Sequence, residues 1–354
     1  MNLSTSNEDE DEGSVFARGR RMNRWLSRRR LRHLARWSAA ERAQSVLFAT
    51  TDDKVEIALS RYGRRPSRRY PVVLCHGLGA NRFSFDLSPQ TSLARWLSEL
   101  GFDVYCLEFR GHGRSQKAGQ GGLHYGWGLF DYANRDIPAA LEALHDALGA
   151  SQVHWVGHSM GGIAGLARLA GGETRFRSMT TIASAIDYSG TPSVFHGVRR
   201  ALPLTRLLPS VPLGTLSSLM APVALAVPNA IDAINVHHSN VDRDLYRRLT
   251  AVGLHSVSSP VLRDLATCFG EGGLRDGERT FADKLPGTTP TLALSGSADP
   301  QCDPVASARH AHEARAFGKE FGERDEYGHF DLIMGERAPE EVWPTLHEWL
   351  VSHD

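Results

Sequence analysis

Ser159 lies in Gly157-His158-Ser159-Met160-Gly161-Gly162, a G-x-S-x-G run. It follows the apolar stretch Val153-His154-Trp155-Val156 and precedes the helix-like stretch Met160–Leu169. A serine on a sharp strand-to-helix turn holds its hydroxyl clear of the backbone, and small neighbours are needed because side chains there would collide. The first N–H of the helix, on Met160, then points at charge developing on an attacked carbonyl oxygen. An earlier strand-like run, Pro71–Cys75, ends in His76-Gly77-Leu78-Gly79. Glycines there let the backbone approach a ligand, so the Leu78 N–H is the expected second oxyanion donor and His76 a support for the loop.

A serine nucleophile needs a base and a group that orients the base. Among 16 histidines, His329 stands out in Glu326-Tyr327-Gly328-His329-Phe330-Asp331, a loop just ahead of the last helix. Asp299 and Asp303 lie in the loop after the apolar run Thr291–Leu294. Asp299, nearer the strand end, is the expected orienter, and Asp331 follows His329 too closely to serve. The chain order Ser159, Asp299, His329 is one in which such a triad occurs. Two other runs are read structurally. Arg110-Gly111-His112-Gly113-Arg114-Ser115 lacks the spacing of a phosphate loop and is expected to line the pocket floor. His237-His238 has no ligand pattern around it, so no metal and no organic cofactor is expected.

The elements that must position these residues form an alternating series. Strands are predicted at Ser45–Thr50, Val55–Tyr62, Pro71–Cys75, Asp103–Phe109, Val153–Val156, Met179–Ala185, Thr291–Leu294 and Lys319–Glu323. Helices are predicted at Ser92–Leu100, Tyr132–Leu148, Met160–Leu169, Val305–Phe317 and Glu340–Val351. Buried strands alternating with such helices predict an α/β fold, a mostly parallel sheet covered on both faces. Residues 188–286 break the rhythm, and prolines 192, 203, 209, 212, 222 and 228 exclude long helices and central strands from the first half. The organisation expected is an N-terminal extension over 1–45, a core over 46–187, an inserted cap over 188–286 and the rest of the core over 287–354.

Composition narrows the function classes. The 354 residues carry 40 basic and 40 acidic side chains, which excludes a uniformly basic nucleic-acid binder. Four widely spaced cysteines make neither a disulfide framework nor a zinc ribbon. No apolar run approaches a membrane span, and no secretory leader is recognised, so a cytoplasmic setting is expected. Residues 1–50 nevertheless hold ten arginines against six acidic residues. Over 18–45, arginines interleave with Met22, Leu26, Leu34 and Trp37 as in a basic amphipathic helix. Such a helix rests peripherally on an anionic membrane or simply docks beside the main domain; the second reading is favoured.

Together these motifs resemble the α/β-hydrolase superfamily, and within it the acid-lipase branch of gastric and lysosomal lipases with their bacterial relatives. The likeness spans roughly 46–350. It rests on HGLG at 76–79, RGHGRS at 110–115, Phe130-Asp131-Tyr132, GHSMGG at 157–162 and GHFD at 328–331. It implies an α/β-hydrolase fold, Ser159 as nucleophile, Asp299 as acid, His329 as base, and Leu78 and Met160 as oxyanion donors. The function expected is hydrolysis of carboxylic esters, small or lipid, through an acyl-enzyme. Leu202, Leu204, Leu207, Leu208, Val211, Leu213, Leu216, Leu219 and Met220 in the cap favour an apolar acyl group. Alternatives are an acyltransferase using the same acyl-enzyme and a non-catalytic membrane- or partner-binding module. A looser likeness to polyhydroxyalkanoate synthases meets serine at 159 where those proteins have cysteine. Dehalogenases and epoxide hydrolases resemble this scaffold with aspartate there.

Overall fold

A computed structural model describes residue 32 and residues 35–63, 66–198, 206–226 and 229–354. Eight strands build one sheet: β1 (Ser45–Thr50), β2 (Glu56–Tyr62), β3 (Val72–Cys75), β4 (Val104–Glu108), β5 (Val153–His158), β6 (Phe176–Ile182), β7 (Thr291–Gly296) and β8 (Glu313–Phe317). Their spatial order is β1-β2-β4-β3-β5-β6-β7-β8. β2 runs antiparallel to both β1 and β4, and every pairing from β4 to β8 is parallel. Parallel strands need crossovers, and these supply α1 (Leu93–Glu99), α2 (Ile137–Leu148) and α3 (Met160–Ala170). Strands β3, β4 and β5 are buried along their whole length, as a sheet covered on both faces requires. All four cysteines are buried and unpaired in this core.

The chain between β6 and β7 adds no strand to the sheet among the described residues. It forms α4 (Leu213–Met220), α5 (Arg243–Val252), α6 (Ser259–Thr267) and shorter turns. α4 packs on α5, and its neighbour Ala221, together with Ala251, covers the buried Trp37. The chain leading into β1 is therefore fastened to the inserted segment as well as to the core, where Glu41 pairs with Arg82 at 2.7 Å. Most of the 18–45 stretch read as a basic helix lies outside the described residues. No described helix is long and apolar enough to cross a membrane.

Three element readings change. The helix expected over 305–317 stops early, as Pro304–Ala308, and Glu313–Phe317 is the sheet's last strand. Glu, Ala and Arg are good helix formers, but this edge position pairs residue by residue with β7, and that tertiary contact overrides propensity. The strand expected over 319–323 gives way to a 3₁₀ turn, Lys319–Phe321. The helix predicted from Tyr132 starts at Leu129 and passes through a π turn, Tyr132–Asp136, before α2. α7 (Trp343–Ser352) closes the chain.

Candidate active site

Ser159 occupies the turn between β5 and α3 with φ 51° and ψ −120°, a left-handed region that a non-glycine residue enters only under constraint. The constraint is visible in its backbone. Ser159 N–H donates to Ile182 O at 2.9 Å, and its carbonyl accepts from Gly162 N–H and the Ser184 hydroxyl at 2.9 and 2.8 Å. The flanking glycines make this turn possible. A Cβ on Gly157 would stand 2.4 Å from the Gly162 nitrogen, and one on Gly161 would stand 2.4 Å from the Cys75 carbonyl oxygen. The strain thus fixes where the hydroxyl sits.

His329 and Asp299 come from loops that follow different strands, and they meet. His329 Nδ1 donates to Asp299 Oδ2 at 2.8 Å, with both side chains buried. The other Asp299 oxygen accepts the N–H groups of Gln301 and Cys302 at 2.8 and 3.2 Å, so the carboxylate is held in one orientation. Asp303 faces elsewhere: its Oδ1 caps the helix Pro304–Ala308 by accepting from Val305 N–H.

The loop bearing His329 is tied on both sides. His158 Nε2 donates to the His329 carbonyl at 3.0 Å. Burial drives the His158 pKa well below the usual histidine range, so its ring is neutral and this bond fixes the tautomer. Asp331 Oδ2 accepts from Gly328 N–H and His237 N–H, each at 2.8 Å. Burial pushes the Asp331 carboxyl up to about 8, despite those two donors. Asp331 is therefore mostly protonated at neutral pH, and it joins the loop to the inserted segment.

Ser159 and His329 open onto the same cleft, about 680 Å³ with its mouth and the adjoining solvent included. Leu78, Met160 and Ile163 line it from the core. Tyr188, Phe195, Leu262, Leu265, Ala266 and Phe269 line it from the inserted segment. Gln301 completes the wall. Phe269 stacks on Tyr188, ring centroids 4.6 Å apart, which stiffens that side. Leu78 and Met160 N–H groups donate to no described group, as a pair of oxyanion donors requires.

Several expectations shift here. The apolar wall comes from α6, Phe195 and Phe269 rather than from the cap leucines: Leu207, Leu208, Leu216 and Met220 are exposed. Leu202 and Leu204 lie outside the described residues. The RGHGRS loop does not line the cleft. Arg110 pairs with Asp136 at 2.7 Å and Asp53 at 2.6 Å, and Asp136, fully buried, is pushed up to about 6. His76 supports the Leu78 loop as expected, donating from Nδ1 to Gly77 O and accepting from Phe109 N–H. Burial lowers His76 to about 4, keeping it neutral. Sequence reasoning assigned no role to Gln301, Phe195, Phe269, Asp331 or His158. For Gln301 and Asp331 the available signal was position, two residues from Asp299 and His329 respectively. Among the described residues, no cluster of His, Cys, Asp and Glu has the makeup of a metal site.

Residues 70–336 match the α/β hydrolase fold family, and the chain belongs to it. Relatives include the poly(3-hydroxyalkanoate) polymerase subunit of Haloferax mediterranei, 22% identical over 88% of this chain and 66% of that protein. A lipase of Caenorhabditis elegans is 25% identical over 46% of this chain and 44% of its own length. The chain thus spans less than two thirds of either relative. Among solved structures, a soluble variant of monoglyceride lipase from Saccharomyces cerevisiae superposes with a TM-score of 0.60 at 16% identity, covering 89% of this chain and 98% of that one. These likenesses are to a polymerase subunit and to lipases that share the α/β hydrolase fold; the acid-lipase branch is not singled out.

Proposed function

We propose that the protein is a serine carboxylic-ester hydrolase acting on esters with an apolar acyl group. The observation that carries this reading is the 2.8 Å His329–Asp299 contact beside a strained serine in one apolar cleft. His329 Nε2 takes the Ser159 proton as the hydroxyl oxygen attacks the ester carbonyl. Asp299 holds the imidazole with its proton on Nδ1 and stabilises the imidazolium. The Leu78 and Met160 N–H groups receive the tetrahedral oxyanion. His329 protonates the departing alkoxide, water attacks the acyl-enzyme with His329 as base, and the acid leaves. The segment 188–286 acts as the cap that supplies the acyl wall, and no cofactor takes part.

A panel of nitrophenyl esters of rising acyl length tests the substrate class. Activity should climb from acetyl into the medium chains; a profile that peaks at acetyl and dies by octanoyl would sink the apolar-acyl reading. A second reading, transfer of the acyl group to an alcohol, is favoured by the polymerase relative, which matches 88% of this chain. Product analysis with a competing alcohol separates the two.

A further inference from the structure

Resting on that reading, the one uncommitted polar group among the described residues lining the cleft narrows the substrate class. Among the described lining residues, four carry a polar side-chain nitrogen or oxygen: Ser159, His329, Tyr188 and Gln301. Ser159 and His329 are assigned to bond-making. The Tyr188 hydroxyl accepts from Ala185 N–H at 3.0 Å and bonds the Cys302 thiol, so it is spent inside the fold. Gln301 is different. Its Nε2 donates to Ile234 O at 2.8 Å and faces Asn235 Oδ1 at 3.4 Å. Two acceptors on that side settle which end of the amide is nitrogen. The other end, Oε1, accepts from no described group, and it is absent from the sealed, unpartnered polar atoms of the interior. The backbone N–H of Gln301 donates to Asp299 Oδ1, so the residue carrying this side chain is anchored to the same carboxylate that contacts His329.

We propose that Gln301 Oε1 is a specificity element that accepts a hydrogen bond from a hydroxyl on the substrate, so that the preferred esters carry a free hydroxyl near the scissile bond. An amide oxygen on an otherwise apolar wall selects in one direction. It bonds a donor, gives nothing to a plain hydrocarbon, and repels a carboxylate. A site with a fixed acceptor loses binding when the substrate cannot replace the water that acceptor held. The hydroxyl can sit on the acyl half, as in a β-hydroxyacyl ester, or on the alcohol half, as in a monoacylglycerol. The chemistry at Oε1 is the same.

The test compares kcat/KM within two matched pairs, methyl β-hydroxyoctanoate against methyl octanoate, and monooctanoylglycerol against propyl octanoate. The wild-type protein should favour the hydroxylated member of one pair by about 3- to 10-fold, and the favoured pair identifies the half that carries the hydroxyl. Gln301→Met should bring that ratio close to unity, and Gln301→Asn, which keeps an amide but draws its oxygen back by one methylene, should lower it. The ratio is insensitive to a general loosening of the cap, because both members of a pair suffer it equally. No preference in either pair, or a preference that Gln301→Met leaves unchanged, overturns the assignment while turnover of the plain esters upholds the hydrolase reading. Absence of turnover for all four esters overturns both.

Discussion

Replacing Asp331 by asparagine should leave the fold intact and remove most of one pH dependence of stability. In the folded protein burial holds the carboxyl at about 8, against 3.8 for an unperturbed aspartate. Between those values the unfolded chain has lost this proton and the folded protein keeps it. Stability due to the group is therefore fully present below the unfolded value and is lost as pH rises through the folded one. Each unit of separation is worth about 1.4 kcal/mol, so the loss across the window is on the order of 2–5 kcal/mol once local relaxation is allowed for. Asparagine is neutral throughout, and its oxygen can still accept from Gly328 and His237. Urea denaturation followed by tryptophan fluorescence, at about pH 4 and about pH 8, measures the effect. The two proteins should be close in stability at the lower pH, with the variant more stable at the higher. Parallel profiles, or a variant weaker by the same amount at both, would refute the argument that Asp331 is folded as the acid.

Three further outcomes follow from the site and its supports. Asp299→Asn should lower kcat by roughly ten-thousand-fold with little change in Tm, because the amide no longer fixes the His329 tautomer; a loss under tenfold on an ester substrate would remove Asp299 from the mechanism. Phe269→Ala should raise the kcat/KM ratio of long- over short-chain esters by about tenfold, the scale of a methylene or two in an apolar pocket. An unchanged chain-length profile would mean that the acyl chain lies elsewhere. Arg110→Ala strands the buried Asp136 carboxylate and should cost about 3–5 kcal/mol in denaturant unfolding, whereas a loss under about 1 kcal/mol would show that Asp136 is already neutral.

What the sequence disclosed was what is local. The turn at Ser159 is encoded within six consecutive residues, because close backbone approach demands glycine at fixed offsets from the serine. The parallel core was legible for a similar reason: β3, β4 and β5 are buried on both faces and read as apolar runs. Long-range pairing was not written locally. Asp299 and Asp303 were separated on proximity to a strand end; the structure distinguishes them by what each carboxylate touches, an imidazole in one case and a helix N-terminus in the other. The cleft wall was harder still. Leucines in the proline-rich stretch looked like acyl-pocket residues, yet the wall is built by α6, Phe195 and Phe269, and only packing reveals which face of a helix between β6 and β7 turns inward. Glu313–Phe317 failed for the same reason, since its sheet pairing outweighs a helical composition.

The central claim is that Ser159 is a nucleophile activated by His329. Reaction of the purified protein with a fluorophosphonate, followed by intact mass, tests it directly. A nucleophile so activated gives a single adduct on the wild-type chain, none on Ser159→Ala, and adduct formation slowed by orders of magnitude on His329→Ala. A folded wild-type protein that takes no adduct, or one labelled equally well after Ser159→Ala, would contradict it.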